Sequence, residues 1–362
     1  MPKRALLLLG VLTGCDGLWQ GLRQPVSENC VVNPSACGGG QVCNANTELC
    51  EPAESGTADM ASSGPGPTCG PSDFCWQSPL PSGNLLRSVS LLSAQSGLSV
   101  GDQGNIWQLG PSGWQQSQSP TRSTLYGVSM ASPSSAVAVG QAGTVLRFDG
   151  SKWSAVSCGT TVTLRSVHSF PSGDAFLVGD QGTVLRLSGS SCSPVASGVS
   201  VQLNAVDAID PSTVWVAGAN GTILFFDGTS FRSQTSGTKE ELRGIYAATS
   251  AEAFACGTRG TLLRYSLGAW SGLNLGTTQS LDAISGKLAD NVMVSAANGS
   301  VYRFDGTSWR LLPALTKYRL EGVAVTDTES LLVGDFGTIL CGNLNKAPAG
   351  LRGLRTAYSD FV

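Results

Sequence analysis

Histidine is almost absent from this chain, and charged residues are scarce. The 362 residues include one histidine, His168, and only 13% charged residues, with a formal net charge of −3. No Ser/His/Asp set, H-E-x-x-H motif or phosphate-binding loop can be found. A nucleic-acid surface needs clustered Lys and Arg, which this composition does not supply. We therefore expect no metal, no cofactor and no nucleic-acid partner, and we interpret His168 as a structural residue.

Long hydrophobic runs are also missing, apart from a short one near the start. A basic beginning precedes the apolar segment 5–12, which is too short to span a bilayer and is typical of a secretory signal. The run Leu-Thr-Gly-Cys over 12–15 resembles the lipobox of bacterial lipoproteins. The resemblance implies a signal peptide over 1–14 and a lipid on Cys15, which anchors an exported protein in the cell envelope through that lipid alone. An ordinary signal peptide, with Cys15 a plain thiol, is the alternative.

A unit of about 39 residues repeats seven times through the rest of the chain. The second glycine of a V-G-x-x-G-T-(I/V/L)-L phrase recurs with successive spacings of 39, 39, 39, 39, 39 and 38, at Gly104, Gly143, Gly182, Gly221, Gly260, Gly299 and Gly337. A fixed period of this length is typical of an array of supersecondary units. The V-G-x-x-G phrase joins two strand-like runs without a helix, so it does not match a dinucleotide fingerprint.

Each unit contains four short strand-like phrases. They are a Leu-x-small-Val phrase, an apolar run ending in glycine, the Gly-Thr-Ile-Leu phrase, and a fourth phrase that follows an Asp-Gly turn. Short β-branched runs separated by such turns indicate antiparallel hairpins. A series of sandwiches would not keep so regular a period, and a β-helix uses shorter coils. The sequence therefore predicts an all-β fold: a seven-bladed β-propeller of four-stranded antiparallel blades over 69–344.

The last unit lacks a fourth phrase, and a candidate for it lies upstream. Phe74-Cys75-Trp76-Gln77 precedes the first unit by nearly the spacing found between other fourth phrases and the next unit. We predict that Trp76 opens the outer strand of the seventh blade, which would remove an open strand edge. An unpaired lead-in is the alternative.

One position opens every other fourth phrase and is nearly always aromatic. It is occupied by Trp114, Trp153, Cys192, Phe231, Trp270 and Trp309. We predict that the aromatic residues pack between neighbouring blades as core, and do not form a platform for stacking a ligand.

The segment between signal and propeller divides by composition. A tether spans 15–29, a cysteine-rich module spans 30–50, and a linker rich in Pro, Gly and Ser spans 51–68; a tail follows at 345–362. The module contains four cysteines, Cys30, Cys37, Cys43 and Cys50, and too few apolar residues to fold by burial alone. We expect two disulfides of undetermined connectivity, with a zinc site as the alternative.

Six further cysteines lie in the propeller region. A bond between Cys75 and Cys341 would close the ring, and a local bond between Cys69 and Cys75 is the alternative. We interpret Cys256, which lies in an inner-strand position, as a buried small hydrophobe.

The repeat resembles known propeller families. It is similar to BNR/Asp-box proteins, to the photosystem II stability/assembly factor, and more closely to W-x-V-G-x-x-G-T-I-L-x-x-D-G-x-x-W repeats of myxobacterial exported proteins. The pattern is visible in 139–153 and 216–231 and covers about three-quarters of the chain. It departs from a true Asp-box, which has another residue between Asp and Gly. The arginine triad and tyrosine–glutamate pair of a sialidase are not found, so the resemblance implies a fold and a binding habit rather than a reaction.

Two function classes fit these features. The first is a non-catalytic envelope lipoprotein, expected to be monomeric, that binds a protein or glycan through one propeller face. The second is an exported glycan hydrolase or lyase of the sialidase-like type. Units of nearly uniform length leave little chain for a catalytic pocket, so we expect a binding protein and not an enzyme.

The predicted topology places two sets of polar residues on one face, here called the crossover face. In a propeller the loops from second to third strands lie on the same face as the crossings between blades. These loops contain Asp102, Gln103, Gln141, Asp180, Gln181, Asn220, Arg259, Asn298 and Asp335. The residues after each first-phrase leucine, here called the mouth residues, lie near the central channel: Arg87, Tyr126, Arg165, Asn204, Arg243, Asp282 and Glu321. We predict binding here and not at the Asp-Gly turns; pairing of these charges with neighbouring loops is the alternative.

Overall fold

The computed structural model describes residues 41–44, 49–52, 74–76, 84–313 and 315–343. Its first element is a hairpin of β1 (Gln41–Asn44) and β2 (Leu49–Pro52), in which Cys43 lies opposite Cys50. Cys30, Cys37, Cys69 and Cys15 lie outside the described residues, so the disulfides of the cysteine-rich module and the lipid site stay predictions. Within the described ranges, no helix is both long and apolar enough to cross a bilayer.

The remaining strands form seven four-stranded sheets. In chain order they are β3 (Phe74–Trp76), then β4 (Leu86–Ser93), β5 (Ser96–Gly101), β6 (Ile106–Gly110), β7 (Gly113–Ser117) of blade 1; β8 (Leu125–Ser132), β9 (Ser135–Gly140), β10 (Val145–Phe148), β11 (Trp153–Ala155) of blade 2; and β12 (Leu164–Ser169), β13 (Ala175–Gly179), β14 (Val184–Ser188), β15 (Ser191–Pro194) of blade 3.

The second half of the ring repeats this order. Its strands are β16 (Leu203–Asp210), β17 (Thr213–Gly218), β18 (Ile223–Phe226), β19 (Phe231–Gln234) of blade 4; β20 (Leu242–Thr249), β21 (Glu252–Gly257), β22 (Leu262–Ser266), β23 (Ala269–Leu273) of blade 5; β24 (Leu281–Leu288), β25 (Asn291–Ala296), β26 (Val301–Phe304), β27 (Trp309–Leu311) of blade 6; and β28 (Leu320–Val325), β29 (Glu329–Gly334), β30 (Ile339–Asn343), which form blade 7 with β3.

Every blade is an antiparallel meander, and the ring is closed. The first strand of each blade contacts the first strand of the next, and β28 contacts β4. This confirms the predicted seven-bladed all-β propeller with four antiparallel strands in each blade.

The recurring glycine marks the turn between second and third strands. Gly143 has φ +70°, and a Cβ on it would overlap the carbonyl oxygen of Thr160 in the connection to the next blade. The position therefore needs a residue that is both tolerant of positive φ and free of a side chain. The same two demands apply at Gly182, where the overlap would be with Val199. The glycine recurs at a regular period because the connection to the next blade packs directly on the turn between second and third strands.

The seventh blade is closed by the upstream strand, with one correction to the prediction. β3 pairs with β30, so Trp76 lies in the outer strand of that blade as expected. However, Trp76 lies opposite Leu340 and ends the strand, whereas Phe74 lies opposite Gly342. Gly342 corresponds in the repeat to Phe148 of blade 2, and Phe148 lies opposite Trp153. Phe74, not Trp76, therefore occupies the aromatic position of the repeat.

The recurring aromatic residues lie between blades, as predicted. Trp153 is 5% exposed and packs with Leu98 and Val100 of the preceding blade. Trp309 meets Phe254 of blade 5 edge-on, with ring centroids 6.3 Å apart. Trp114, Phe231 and Trp270 pack in the same way against clusters that span two blades. These rings are core, and none is free to stack on a ligand.

A disulfide replaces the aromatic residue in blade 3. Cys192 of β15 is bonded to Cys158, which lies in the connection from blade 2 to blade 3. Both sulfur-bearing side chains border the apolar cluster between these blades. Neither cysteine was among the predicted disulfide candidates, and the bond lies inside the propeller rather than in the upstream module.

The other two described cysteine side chains differ in state. Cys256 is free and fully buried, which confirms its interpretation as a small hydrophobe, and burial raises the pKa of its thiol. Cys341 is disulfide-bonded, and the residue opposite it on the neighbouring strand is Cys75. That backbone pairing is compatible with the predicted Cys75–Cys341 bond.

Candidate binding face

The mouth residues line a single cavity in the centre of the ring. All seven first strands contribute to its wall, and the cavity has a volume of ≈ 220 Å³. Each mouth residue follows the first leucine of its strand, next to the turn that ends the second strand; for example, the backbone N–H of Asp102 donates to the carbonyl of Leu85. The repeat therefore brings these seven positions together. Their role in binding stays a prediction.

Two mouth arginines are paired with loop carboxylates of their own blades. Arg87 Nε lies 2.6 Å from Asp102 Oδ1, and Arg165 Nε lies 2.5 Å from Asp180 Oδ1. Between them, the Tyr126 ring has the Arg87 guanidinium carbon 5.1 Å and the Arg165 carbon 5.7 Å from its centroid. Both distances are in the range of cation–π contacts. Arg87 and Arg165 therefore pair with loop carboxylates, which is the alternative that the sequence left open.

A third arginine belongs to a buried ion cluster. Arg243 Nη1 donates to Asp282 Oδ1 at 2.8 Å, and Arg319 donates to both Asp282 oxygens at 2.7 and 2.9 Å. The Asp282 side chain is only 2% exposed. Its hydrogen bonds hold the pKa of the Arg319 guanidinium above its usual value. Sequence reasoning missed Arg319 because it considered only residues after each leucine, and Arg319 comes immediately before Leu320.

The remaining two mouth residues are also engaged. Burial raises the pKa of the Glu321 carboxyl above its ordinary value, against the influence of Arg319, whose Nε lies 3.1 Å from Glu321 Oε1. Asn204 Nδ2 donates to Glu241 Oε1 at 3.1 Å and to the carbonyl of Leu242 at 2.8 Å. The mouth therefore carries positive residues on blades 1, 3 and 5 and acidic residues on blades 6 and 7, and some of their contacts cross from blade to blade.

Deeper in the channel, side chains of one blade accept hydrogen bonds from backbone N–H groups of the next. Ser88, Ser90, Ser129, Ser166 and Asp207 accept from the residues 40 positions later, namely Val128, Met130, Ser169, Val206 and Ala247. The Nδ1 atom of His168 lies 2.8 Å from the second Asp207 oxygen. His168 thus helps to join three consecutive blades, which agrees with its interpretation as a structural residue.

The loop residues of the crossover face surround the mouth. Asp102, Asp180 and Asp335 each begin a single 3-10 turn, while Arg259 is 81% exposed and lies 3.7 Å from Glu240. The residue after Asp335 is Phe336, which is 66% exposed. It lines a groove of ≈ 480 Å³ together with Asn84, Leu85, Asp102, Gln103, Arg122, Thr124 and Asp335. Sequence reasoning overlooked Phe336, although six other repeats have a small, polar or charged residue there.

The Asp-Gly turns on the opposite face use their carboxylates internally. Asp149 Oδ1 accepts hydrogen bonds from the backbone N–H groups of Ser151 and Lys152, both at 2.9 Å. A hydrogen bond from the Ser151 hydroxyl and these backbone bonds lower the pKa of Asp149 to about 2. Asp227 and Asp305 hold their turns in the same way, and their pKa values are also lowered. These carboxylates therefore serve the turns.

Among the described residues there is no group of three His, Cys, Asp or Glu side chains that could hold a metal ion. The two mouth carboxylates, Asp282 and Glu321, are each paired with an arginine, as are the loop carboxylates Asp102 and Asp180. What the face offers is a set of paired charges, an aromatic ring between two guanidiniums, and an exposed groove.

Comparison with known proteins supports the fold. No protein-family model matches the chain, and no curated protein matches it in sequence. The structure is similar to that of YCF48 bound to D1 peptide, with a TM-score of 0.61 and 13% identity over 76% of this chain and 96% of that chain. It is also similar to YCF48 from Cyanidioschyzon merolae, with a TM-score of 0.61 and 16% identity over 75% and 99% of the two chains.

A third similar structure comes from another propeller group. The WD40 β-propeller domain of Doa1 matches with a TM-score of 0.63 and 11% identity, over 73% of this chain and 94% of that one. Identities this low relate the folds alone. The resemblance to the photosystem II assembly-factor propellers, first seen in the repeat, is thereby supported at the level of fold.

Proposed function

We propose that this chain is an exported lipoprotein whose propeller acts as a non-catalytic binding module for a protein partner, through the crossover face. The observation that carries the proposal is the meeting of seven variable, polar mouth residues in one opening of an otherwise regular ring. A purely structural ring would not need arginines on alternate blades. YCF48, whose fold is similar, has been captured with a peptide, and we extend that mode of use to this chain.

A protein fits the face better than a glycan. The central cavity of ≈ 220 Å³ is smaller than the range of about 300–1,000 Å³ usual for small-molecule pockets. A sugar chain would therefore not enter it deeply. Guanidinium groups and a tyrosine at the mouth are instead residue types that recur at protein interfaces. A partner would rest on the opening and exchange hydrogen bonds with its paired charges.

The test compares two cations of the mouth with a matched arginine elsewhere. The double replacement Arg87→Ala and Arg165→Ala removes both guanidiniums beside Tyr126, and the carboxylates left behind are about one-third exposed. Arg243 is less suitable because it pairs with the buried Asp282. The control is Arg232→Ala, whose side chain is 70% exposed on an outer strand. We expect the double variant to lose protein capture from bacterial envelope extract, and the control to retain it.

Two other outcomes would overturn this assignment. If the protein binds members of a glycan array and captures no protein, the partner class is wrong. If capture survives the double replacement but is lost on substituting Asp149, Asp227 and Asp305, the working face is the opposite one. Circular dichroism of each variant checks that the fold is retained.

The membrane anchor is a separate part of the proposal and has its own test. Its support is the lipobox-like run that ends at Cys15 and the short apolar segment before it. We expect the natural protein to partition into detergent and a Cys15→Ser variant to appear in a soluble exported fraction or to keep its signal. Unchanged partitioning of a variant whose signal has been removed would exclude lipid anchoring.

A further inference from the structure

Phe336 occupies an unusual position on the crossover face. Its φ of 56° places a bulky aromatic residue in the left-handed region, which such residues adopt rarely and at a cost. The equivalent residues in the other blades are Gln103, Ala142, Gln181, Asn220, Arg259 and Asn298. Phe336 does not recover the cost by burial, because 66% of it is exposed. An exposed, conformationally strained aromatic residue is better explained by a contact outside the chain.

A second aromatic ring extends this surface. The Tyr318 ring meets Phe336 edge-on with centroids 5.0 Å apart, and it is itself 36% exposed. Lys317 Nζ lies 5.9 Å from the Tyr318 centroid. Phe336 also borders the groove of ≈ 480 Å³ that runs toward Arg122 in the connection to blade 2. Two cations thus flank an aromatic pair.

The charge left over at this surface is positive. Of the two carboxylates that line the groove, Asp102 is paired with Arg87, whereas Asp335 accepts a hydrogen bond only from the backbone N–H of Arg319, at 3.3 Å, and keeps its negative charge. Against this one negative charge stand two cations, Arg122 and Lys317. Arg122 and Lys317 are both exposed, and neither takes part in an ion pair with any residue that the structure describes. A partner that brought carboxylates to these cations would break no ion pair within the described residues.

We propose that the aromatic pair, the groove, Arg122 and Lys317 form a docking surface for an acidic peptide segment of a protein partner. The segment carries one aromatic or large aliphatic side chain, which packs on Phe336 and Tyr318, and carboxylates on both sides of it, which pair with Arg122 and Lys317. This inference rests on the proposed protein-binding function and names the chemistry of its partner. Exposed aromatic residues flanked by cations are typical of the residues that dominate interface energies.

The experiment uses defined peptide probes with the full chain. Three fluorescent decapeptides are compared by anisotropy: one with a central phenylalanine between glutamates, one with alanine in its place, and one with phenylalanine between lysines. We expect the first to bind most tightly. Each of the other two should bind at least about tenfold more weakly, because one lacks the apolar anchor and the other reverses the charge.

Matched variants assign the binding to this surface. Phe336→Asn removes the aromatic ring and suits the left-handed backbone, so it should weaken the first peptide at least about tenfold while the melting temperature stays unchanged or rises. Leu267→Asn is the control: Leu267 is fully exposed, has φ 54°, and lies in a turn on the opposite face. It should relieve the same backbone cost and leave peptide binding unchanged.

A charge reversal gives a second, independent test. Arg122→Glu with Lys317→Glu should lower affinity for the acidic peptide and raise it for the basic one. Lys239→Glu is the matched control. Lys239 is exposed, and it occupies in blade 5 the repeat position that Arg122 occupies in blade 2 and Lys317 in blade 7. Equal binding of all three peptides, or binding that Phe336→Asn does not weaken, would overturn the proposal. If these peptides fail while the Arg87/Arg165 pair still governs protein capture, the docking surface is wrong and the proposed function stands.

Discussion

At the scale of single residues, the aromatic position of the repeat shows that the volume of a side chain can be used without its polar group. The indole N–H groups of Trp153, Trp270 and Trp309 are buried and have no hydrogen-bond partner in the described part of the chain. Blade 4 places Phe231, which has no such group, at the same position. In blades 2, 5 and 6 the position therefore uses the volume of the ring and not its N–H group.

This predicts opposite results for two substitutions of Trp153. Trp153→Ala leaves a cavity between blades 1 and 2 and should lower the free energy of unfolding by about 3–5 kcal/mol. Trp153→Phe should cost far less, because it keeps most of the ring volume and loses no hydrogen bond. Chemical denaturation measures both. A stable Trp153→Ala variant that no longer captures its partner would show that the ring serves binding.

The disulfide of blade 3 should contribute to the free energy of unfolding by an amount similar to that of the Trp153 ring. It joins residues 34 apart in sequence, and a loop of this length is worth about 2–4 kcal/mol when closed. We expect Cys158→Ser with Cys192→Ser to lower the free energy of unfolding by that amount. Cys158→Ser with Cys192→Trp restores the aromatic residue of the repeat and should recover part of the loss. If the double serine variant melts like the natural protein, the bond does not stabilise the interface between blades.

At the scale of elements, the Asp-Gly turns make stability depend on pH in the acid range. The folded pKa of Asp149 is lowered from its ordinary value to about 2, and those of Asp227 and Asp305 are also lowered. A lowered folded pKa adds stability that is present above the unfolded value and is lost as pH falls through the folded value. The window for Asp149 therefore runs from about pH 4 to about pH 2.

Replacing the three aspartates by asparagine should flatten this dependence. An amide oxygen can still accept the turn hydrogen bonds, but it does not titrate in this range. We expect the melting temperature of the triple variant to fall less steeply between about pH 4 and about pH 2 than that of the natural protein. Parallel curves for the two proteins would contradict the assignment. Asp290→Asn, at an exposed residue outside these three turns, serves as the control.

The elements also show where sequence reasoning stops. The 39-residue period predicted every blade, because each unit must place its glycine under the next crossing. It placed β3 in blade 7 but assigned the aromatic position to Trp76 in place of Phe74, since register depends on the length of the connection, which differs there. Cys192 at an aromatic position was a visible signal for a disulfide. Its partner Cys158 lies in a connection that no periodic pattern describes.

The same limit applies to the mouth. Counting from each leucine located the seven side chains that line the channel. It did not show which charges pair, because side-chain direction is decided by neighbouring blades. Arg319 contacts Asp282 from the next blade, and the Asp282 side chain is 2% exposed.

At the scale of the whole molecule, closure of the ring depends on three residues far from the rest of their blade. Without β3 the strand β30 would present an open edge to solvent, and open edges favour association. We expect a chain shortened to begin at residue 78 to melt at a lower temperature and to form oligomers in size-exclusion chromatography. A chain that begins at residue 67 keeps β3 and is the control. Both carry Cys341→Ser, so that a free thiol does not confuse the comparison.

The two truncations must differ if the closure is important. Equal melting temperatures and equal elution volumes would mean that β3 contributes nothing to the ring. A lower stability of both chains relative to the full protein would instead assign the effect to the upstream residues or to the lost Cys341 disulfide.

The inter-blade hydrogen bonds inside the channel also restrict how anything can bind there. The first strand of each blade has one edge turned toward the channel, and such an edge could in principle accept an extra strand from an incoming peptide. In blades 2 to 5 the amides of Val128, Met130, Ser169, Val206 and Ala247 are already taken by side chains of the preceding blade. These five amides are therefore not open to β-augmentation. At their positions a molecule entering the channel would meet side chains before it met the backbone.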